Sequence, residues 1–220
     1  MRNAGDLMRE FILSNNRSKR IGAGAYGEVY ASDVPGNVIK QTIVPDEFGA
    51  MTNEANRQAI AGEMGIAPKV AGLERFPGGV GNRIEMQDIR ENYEPVSPRG
   101  VNEYITDPKL NLDIAKQRGA LALRGVELDD RHSGNVFKHK MTGRPMQLDF
   151  GISYDLTQDA AKAQALTEAT ADGFAAAGIP EMGDILRGIV FDHLEGGQGI
   201  EALDVAKQGF SRLQKIKHPL

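Results

Sequence analysis

Residues 21–40 read IGAGAYGEVYASDVPGNVIK, and the order of features here limits the possible folds more than any other stretch of the chain. Gly22, Gly24 and Gly27 are followed by an apolar-alternating run, a Pro-Gly turn and a second extended run that ends in Lys40. Alternation with a period of two, interrupted by glycines and turn residues, is typical of β-strands. The sequence therefore predicts strand, glycine loop, strand, turn and strand.

The order of these elements can be compared with two known glycine-containing motifs that bind nucleotides. A dinucleotide-binding GxGxxG needs a helix that begins at its last glycine, whereas a strand follows Gly27 here. Asp46 and Glu47 lie about 20 residues further on, where a ribose-binding carboxylate would stand, and they keep that alternative open. The phosphate-binding pattern GxxxxGK[ST] occurs nowhere in the chain and is excluded.

The rest of the first part continues the sheet and adds one helix. Helical spacing of apolar residues predicts a helix over 46–64, and extended runs predict strands over 69–73 and 83–89. Turn residues over 76–82 separate these two strands. Upstream, residues 1–20 are expected to form a helical extension.

Composition changes after residue 90. A polar, proline-containing stretch over 91–108 is expected to be a linker. Beyond it the pattern is mainly helical, apart from one hairpin with strands at 135–137 and 146–148. The helices are predicted over 110–124, 157–177, 181–194 and 200–217. The expected class is therefore α+β, with a small antiparallel sheet and one helix followed by a mainly helical part.

Composition excludes several functional classes. The 220 residues carry 26 basic and 30 acidic side chains, a net charge of −4 that gives no reason to expect a nucleic-acid partner. The chain has no cysteine, so disulfides and thiolate chemistry are excluded, and its four histidines lack metal-ligand spacing. No apolar run approaches ~18 residues, so no membrane association is expected, and the expected location is cytoplasmic.

Oxygen-bearing side chains cluster in the sequence LDDRHSGNVFKHKMTGRPMQLDFGIS. Asp130 and Asn135 form a D-x-x-x-x-N pattern, and Asp149-Phe150-Gly151 follows the predicted hairpin. Mg²⁺ prefers oxygen ligands and takes the rest of its coordination shell from phosphate and water. Carboxylate and amide oxygens on either side of a short hairpin therefore suit a magnesium–nucleotide site.

Taken in order, these features resemble those of protein kinase-like phosphotransferases: a glycine-rich loop with Val29 behind it, Lys40 on the third strand, Asp130 to Asn135, and Asp149 to Gly151. The resemblance implies a two-lobed fold, with residues 21–89 as the N-lobe and 90–220 as a reduced C-lobe. ATP and Mg²⁺ would bind between the lobes.

The resemblance also implies roles for individual residues. Lys40 would neutralise the α- and β-phosphates, oriented by Glu54 from the helix, and Asp130 would accept the proton of the incoming hydroxyl. Asn135 and Asp149 would ligate Mg²⁺. The other nucleotide-binding positions would be Gly22, Gly24, Gly27 and Val29 in the glycine loop and Met86, Gln87, Asp88 and Ile89 in the gatekeeper and hinge.

Two departures from the family pattern concern the acceptor. Leu128-Asp129 replaces the usual His-Arg, and the stretch from Asp130 to Asn135 resembles the D-x-H-x-G-N of aminoglycoside and choline kinases. Only 69 residues follow Gly151, and no Ala-Pro-Glu occurs among them. The chain thus resembles minimal kinases of the RIO-type, phage-encoded or bacterial effector kind, and the last would act in a host cytosol.

Three functions follow from the resemblance. The first is an ATP-dependent Ser/Thr protein kinase with a protein substrate, with room for an activating protein partner. The second is a small-molecule kinase of the aminoglycoside or choline type. The third is a pseudokinase that binds a partner without phosphoryl transfer.

Overall fold

A computed structural model of the chain describes residues 20–23, 27–42, 50–75, 82–97, 104–130 and 132–217. The chain divides into two compact units, Met1–Glu91 and Asn92–Leu220. The expected N-terminal helix and Gly24 lie outside the described residues. No helix within the described ranges is long and apolar enough to cross a membrane.

The described residues of the first unit form a five-stranded antiparallel sheet and one helix. The strands pair in the order β1-β2-β3-β5-β4. They are β1 (Arg20–Ala23), β2 (Gly27–Ala31), β3 (Asn37–Thr42), β4 (Val70–Arg75) and β5 (Asn82–Gln87), and helix α1 (Ala50–Glu63) lies between β3 and β4 in the chain.

The turn between β2 and β3 is made as the sequence predicts. Gly36 has a φ of 82°, a conformation that side chains with a Cβ disfavour. The backbone N–H of Asn37 donates to the carbonyl of Val34 at 3.1 Å and closes the turn. Met51 and Ala55, one turn apart on α1, are buried in one cluster with Ile84 of the sheet. This apolar face holds α1 against the sheet.

In the second unit, the described residues form four α-helices, five short strands and the 3-10 helix Ser133–Asn135. The strands form two small sheets, one with the order β6-β8-β9 and one that pairs β7 with β10. The strands are β6 (Tyr93–Pro95), β7 (Val126–Leu128), β8 (Val136–His139), β9 (Pro145–Gln147) and β10 (Ser153–Asp155), and the helices are α2 (Pro108–Leu123), α3 (Asp159–Ala176), α4 (Pro180–Glu195) and α5 (Gly199–Lys215).

Helix α3 lies at the centre of the helical core and packs on α2, α4 and α5. Small residues make this packing close: a Cβ on Gly119 of α2 would lie 2.2 Å from the ring of Phe210, and a Cβ on Gly173 would lie 2.4 Å from Leu213. Both large side chains are buried, so the glycines allow the helices to approach. The α+β class predicted from the sequence is confirmed, with sheet and helix first and mainly helices after them.

The structure corrects the linker prediction over 91–108. That stretch contains β6, which pairs with β8, and helix α2 begins two residues earlier than predicted. Asp107 caps α2 by accepting from the backbone N–H of Lys109 and Leu110, and Pro108 occupies the first turn. The strand predicted over 83–89 ends at Gln87. Strands β7 and β10 were not predicted.

Candidate functional site

In the first unit, Lys40 and Glu54 form an ion pair. The Lys40 Nζ donates to Glu54 Oε1 at 2.6 Å. Their side chains are only 14% and 7% exposed. Because a charge inside protein is stable only when it is paired and hydrogen-bonded, this contact fixes the position of the ammonium group.

The local folds explain why these two side chains meet. Lys40 lies in the middle of β3, opposite Val29 on one neighbouring strand and Ile84 on the other. On α1, Glu54 stands next to the buried Ala55, so the apolar face of the helix carries the carboxylate towards the sheet. A central strand and a packed helix hold both ends of the pair.

The glycine loop is partly described. Gly22 pairs with Val29 across β1 and β2, and Gly24 lies outside the described residues. At Gly27 a Cβ would stand 2.7 Å from the carbonyl oxygen of Gln41 and 3.8 Å from Lys40 Cε. Glycine is therefore required at position 27 for β2 to run against β3 beside the lysine.

The four predicted hinge residues occupy the end of β5 and the segment after it. Met86 is buried, and its sulfur accepts a hydrogen bond from Gln58 Nε2 at 3.3 Å. The backbone N–H of Gln87 donates to the Lys69 carbonyl at 2.9 Å. Ile89 is buried, so its side chain contributes to the core.

Asp88 makes a different set of contacts. Its backbone N–H donates to the Gly36 carbonyl at 2.8 Å, and its carboxylate accepts from Arg90 at 2.6 to 3.2 Å. The hydrogen bonds from Arg90 hold the pKa of Asp88 below its usual value. The Asp88 carboxylate is thus ionised and bound to the chain itself.

In the second unit, Asp130 lies at the centre of a hydrogen-bonded loop. Asn135 Nδ2 donates to Asp130 Oδ2 at 2.9 Å, and His132 Nε2 lies 3.4 Å from Asp130 Oδ1. The backbone N–H of Asn135 donates to the His132 carbonyl at 3.0 Å, within the turn of 3-10 helix Ser133–Asn135. Residues of the loop therefore contact both oxygens of the Asp130 carboxylate.

His132 contacts Asp130 in this loop, and the neighbouring Ser133 is buried. The Nδ1 atom of His132 is buried and has no hydrogen-bond partner among the described residues, whereas its Nε2 faces Asp130. The imidazole therefore has its polar contact on the Asp130 side.

Asp149 follows β9 in an unusual backbone conformation. Its φ of 58° is the only positive value at a non-glycine among the described residues. The backbone N–H of Gly151 donates back to Asp149 Oδ1 at 3.3 Å, and Phe150 between them is fully buried. Left-handed backbone at a non-glycine persists only where the surroundings enforce it. The buried phenyl ring is the anchor that does so here.

The hairpin of β8 and β9 brings the predicted metal ligands to one end. Asn135 immediately precedes β8, Asp149 follows β9 by two residues, and the backbone N–H of Leu148 donates to the Asn135 carbonyl at 2.8 Å. Since the Asn135 amide nitrogen donates to Asp130, its amide oxygen faces away from that carboxylate. No group of three or more His, Cys, Asp or Glu suited to a metal occurs in the described part of the chain.

A cavity of about 450 Å³ opens beside Asp130 and Asn135, within the second unit. Its apolar wall includes Ile114 and Ala115 of α2, Val136 of β8 and Ala176 of α3. Its polar lining consists of Asn111, Arg118, Asp130, Asn135, Gln147 and Asp172. This volume is within the range of pockets that enclose small organic molecules.

Sequence reasoning missed an ion pair on the cavity wall. Arg118 Nη1 of α2 contacts Asp172 Oδ2 of α3 at 2.6 Å, and the Arg118 side chain is only 9% exposed. Arg187 of α4 bonds Glu168 on the same side of α3, and these bonds raise the pKa of Arg187. The only signal in the sequence was an arginine directly before the apolar helix run GALAL, where a charged side chain that becomes buried needs a partner.

The structure thus brings the predicted site residues together in two groups. Lys40 and Glu54 form one group in the first unit. Asp130, Asn135 and Asp149 form the other in the second unit, around one loop and one hairpin.

Comparisons with known proteins give a likeness of fold and no match of sequence family. No protein-family model matches the sequence, and no curated protein matches it. Among solved structures, the chain is similar to the kinase domain of PknI from Mycobacterium tuberculosis, in a double-mutant form. Identity is 16%, the TM-score is 0.48, and the match covers 74% of this chain and 72% of that chain. A likeness at this level carries no information about nucleotide, metal or substrate.

Proposed function

We propose that the chain is an ATP- and Mg²⁺-dependent phosphotransferase, with a serine or threonine hydroxyl of a protein as its acceptor. The observation that carries the proposal is the buried pair of Lys40 and Glu54, 2.6 Å apart, in a chain that also holds Asp130 and Asn135 in one hydrogen-bonded loop. Phosphoryl transfer asks a protein mainly for positioning and charge stabilisation, and these residues offer both.

In the first unit, Lys40 would bind the phosphates of ATP. An ammonium group fixed by Glu54 has lost most of its rotational freedom before it binds, which favours binding of a polyphosphate. Gly27 allows the backbone to approach closely at this end of β2, as a phosphate-covering loop needs. Met86 and the segment to Ile89 would contact the adenine.

In the second unit, Asn135 and Asp149 would hold Mg²⁺ and Asp130 would act on the acceptor. An amide oxygen and a carboxylate are oxygen ligands of the kind that Mg²⁺ takes, and phosphate and water would complete its shell. Bound Mg²⁺ would neutralise charge on the phosphates. Asp130, held by Asn135 and His132, would accept the proton of the attacking hydroxyl.

The cavity beside Asp130 favours a second candidate, a small-molecule phosphotransferase. A small hydroxyl compound bound in this cavity of about 450 Å³ would have its hydroxyl beside the proposed base. A protein acceptor has no need of a cavity there. The two candidates differ only in the acceptor.

Magnesium-dependent ATP binding tests the site without any knowledge of the acceptor. ATP at about 100 times its dissociation constant should stabilise the native chain by ~2.7 kcal/mol, seen as a rise in melting temperature that requires Mg²⁺. Asp149→Ala should abolish the magnesium dependence, whereas the control Asp155→Ala, at an exposed position of β10, should keep it. An Asp149→Ala chain that binds Mg-ATP like the wild type would refute the assignment.

The acceptor is tested by filling the cavity. Ala175→Leu, at an exposed residue of the cavity lining, would occupy space in the cavity and should suppress phosphorylation of a small hydroxyl compound, while labelling of a generic protein substrate should persist. If the variant lost both activities while it still bound ATP, the cavity would not distinguish a small-molecule acceptor from a protein acceptor. ATP binding with no transfer to either acceptor class would leave the pseudokinase.

A further inference from the structure

The cavity beside Asp130 is lined by two amide side chains that have hydrogen-bonding capacity left for a ligand. Gln147 of β9 is 4% exposed, and its Nε2 atom donates to Gln117 Oε1 at 3.1 Å. Asn111 of α2 lines the same cavity, and its Nδ2 atom donates to the Ile105 carbonyl at 2.7 Å. Among the described residues, neither amide oxygen accepts a hydrogen bond. Because buried polar atoms are normally hydrogen-bonded, these oxygens are positions at which water or a bound molecule donates.

The charged side chains of the cavity wall already have partners. The Asp172 carboxylate contacts Arg118 at 2.6 Å, and Arg187 lies 3.9 Å from its other oxygen. Since the Arg118 side chain is only 9% exposed, its carboxylate partner is what holds the guanidinium inside the wall. The other carboxylate of the described lining is that of Asp130, to which the proposed function assigns the acceptor hydroxyl. The described lining therefore offers no further carboxylate to an ammonium group.

These features together select the chemical class of the ligand. A hydroxyl group donates and accepts hydrogen bonds, so several hydroxyls of one molecule can bond Asn111, Gln147 and Asp130 at once. An ammonium group would bring a charge without a partner in the described lining, and removal of such a charge from water is costly. An anionic group would be repelled by the carboxylates of Asp130 and Asp172. The lining thus favours a neutral molecule with several hydroxyl groups.

We propose that this cavity binds a neutral sugar or polyol, and that Gln147 and Asn111 determine this specificity. One hydroxyl lies at Asp130, others donate to the two amide oxygens, and the carbon-bound hydrogens lie against the apolar wall at Ile114 and Val136. The volume of about 450 Å³ suits a molecule of this size.

This inference rests on the small-molecule candidate of the proposed function and narrows its acceptor, which is not a cationic alcohol of the aminoglycoside or choline type. In the transfer step, the acceptor oxygen bonds to the γ-phosphorus of ATP and the bond from that phosphorus to ADP breaks. Asp130 takes the proton of the acceptor hydroxyl. The products are the phosphate ester and ADP.

Isothermal titration calorimetry of the full chain, without nucleotide, measures binding apart from phosphoryl transfer. The neutral probes are glucose, sorbitol, ribose and myo-inositol. In glucosamine and glucamine an ammonium group replaces one hydroxyl of glucose and of sorbitol, and at about pH 6 both amines are charged. We expect at least one neutral probe to bind with a dissociation constant on the order of 1 mM. Both ammonium compounds should bind at least about tenfold more weakly than that probe.

Two variants test the residues that set this preference. Gln147→Leu keeps most of the side-chain volume and should weaken binding of the neutral probe at least about tenfold. The matched control Gln214→Leu, exposed on α5 and outside the cavity, should leave it unchanged. Arg118→Met removes the closest partner of Asp172, so affinity for glucosamine relative to glucose should rise about tenfold. Structural damage alone would lower both affinities and would not change this ratio.

A wild type that binds no neutral probe at about 50 mM, some fifty times the expected dissociation constant, would overturn the proposal. Equal binding of neutral and ammonium compounds, or binding that Gln147→Leu leaves unchanged, would do the same. The proposed function fails separately. A chain that binds Mg-ATP and a neutral probe but transfers no phosphate to it would refute the small-molecule candidate and support the binding specificity. Phosphorylation of a protein by a chain that binds no neutral probe would leave the kinase and overturn this inference.

Discussion

Breaking the ion pair between Lys40 and Glu54 should destabilise the first unit far more than breaking a surface pair does. In Lys40→Met the carboxylate of Glu54, 7% exposed, loses its partner at 2.6 Å, and in Glu54→Gln the ammonium of Lys40, 14% exposed, loses the carboxylate. Removal of one partner of a buried pair costs about 3 to 5 kcal/mol. Since water reaches part of the lysine, we expect about 3 kcal/mol for each single variant.

The double variant Lys40→Met/Glu54→Gln removes both charges and should cost about 0 to 2 kcal/mol, less than either single variant and well below their sum of about 6, because no charge loses its counter-ion. A single loss of about 3 kcal/mol lowers the melting temperature of a chain of this size by about 6 to 12 °C. Urea unfolding followed by circular dichroism measures the loss of stability. Hydrogen exchange of peptides from β3 and α1 assigns it to the first unit.

Arg83 and Glu74 provide the matched control on the same sheet. Their ion pair joins β5 to β4 with side chains 36% and 52% exposed. An exposed pair contributes only about 0 to 1 kcal/mol. If Lys40→Met and Glu54→Gln were as mild as Arg83→Met, or if their effects simply added in the double variant, the two charges would not be a coupled buried pair.

Two further predictions concern stability. Gly188→Ala, at an exposed position of α4 where a Cβ meets nothing within 4 Å, should stabilise the chain by about 0.5 to 1 kcal/mol. Gly119→Ala, with a Cβ 2.2 Å from the ring of Phe210, should destabilise it by about 1 to 3 kcal/mol. If both substitutions shifted the denaturant midpoint in the same direction, the packing of Phe210 against Gly119 would be contradicted. Hydrogen bonds from Ser32 and Asn37 lower the pKa of Glu85 from its ordinary 4.5. The stability that the ionised Glu85 adds to the folded state is therefore present above pH 4.5 and is lost as the pH falls through the lower pKa of the folded state. The stability difference between wild type and Glu85→Gln should therefore shrink on acidification between about pH 7 and pH 3, and a difference that stays constant would count against these bonds.

Much of the fold could be predicted because its signals are local. The glycines, the Pro-Gly turn and the alternating run place β1 to β3, and helical spacing places α1 and α3 to α5 within a few residues. Strands β6, β7 and β10 have only three residues each, too few to show a period of two. They form because strands far apart in the chain pair with them, as Ser153 does with Leu128.

The candidate site, like the fold, could be predicted where its residues are close in sequence and not where distant residues meet. Short motifs identify Asp130, Asn135 and Asp149, since the residues that support one another lie close in sequence. The resemblance implies Glu54, which lies in the middle of the predicted helix over 46–64, as the partner of Lys40, and the structure pairs the two. The cavity wall could not be predicted, because Arg118 and Asp172 are 54 residues apart and meet only through the packing of α2 on α3.

Transfer of labelled γ-phosphate from Mg-ATP tests the central claim most directly. The purified chain would be incubated with a generic protein substrate and, separately, with a panel of small hydroxyl compounds, beside an Asp130→Asn chain that keeps the hydrogen-bonded loop. We expect label on an acceptor hydroxyl with the wild type and a loss of about 100-fold or more with Asp130→Asn, which cannot accept the proton. Equal transfer by both chains, or no transfer to any acceptor by a wild type that binds Mg-ATP, would contradict the account.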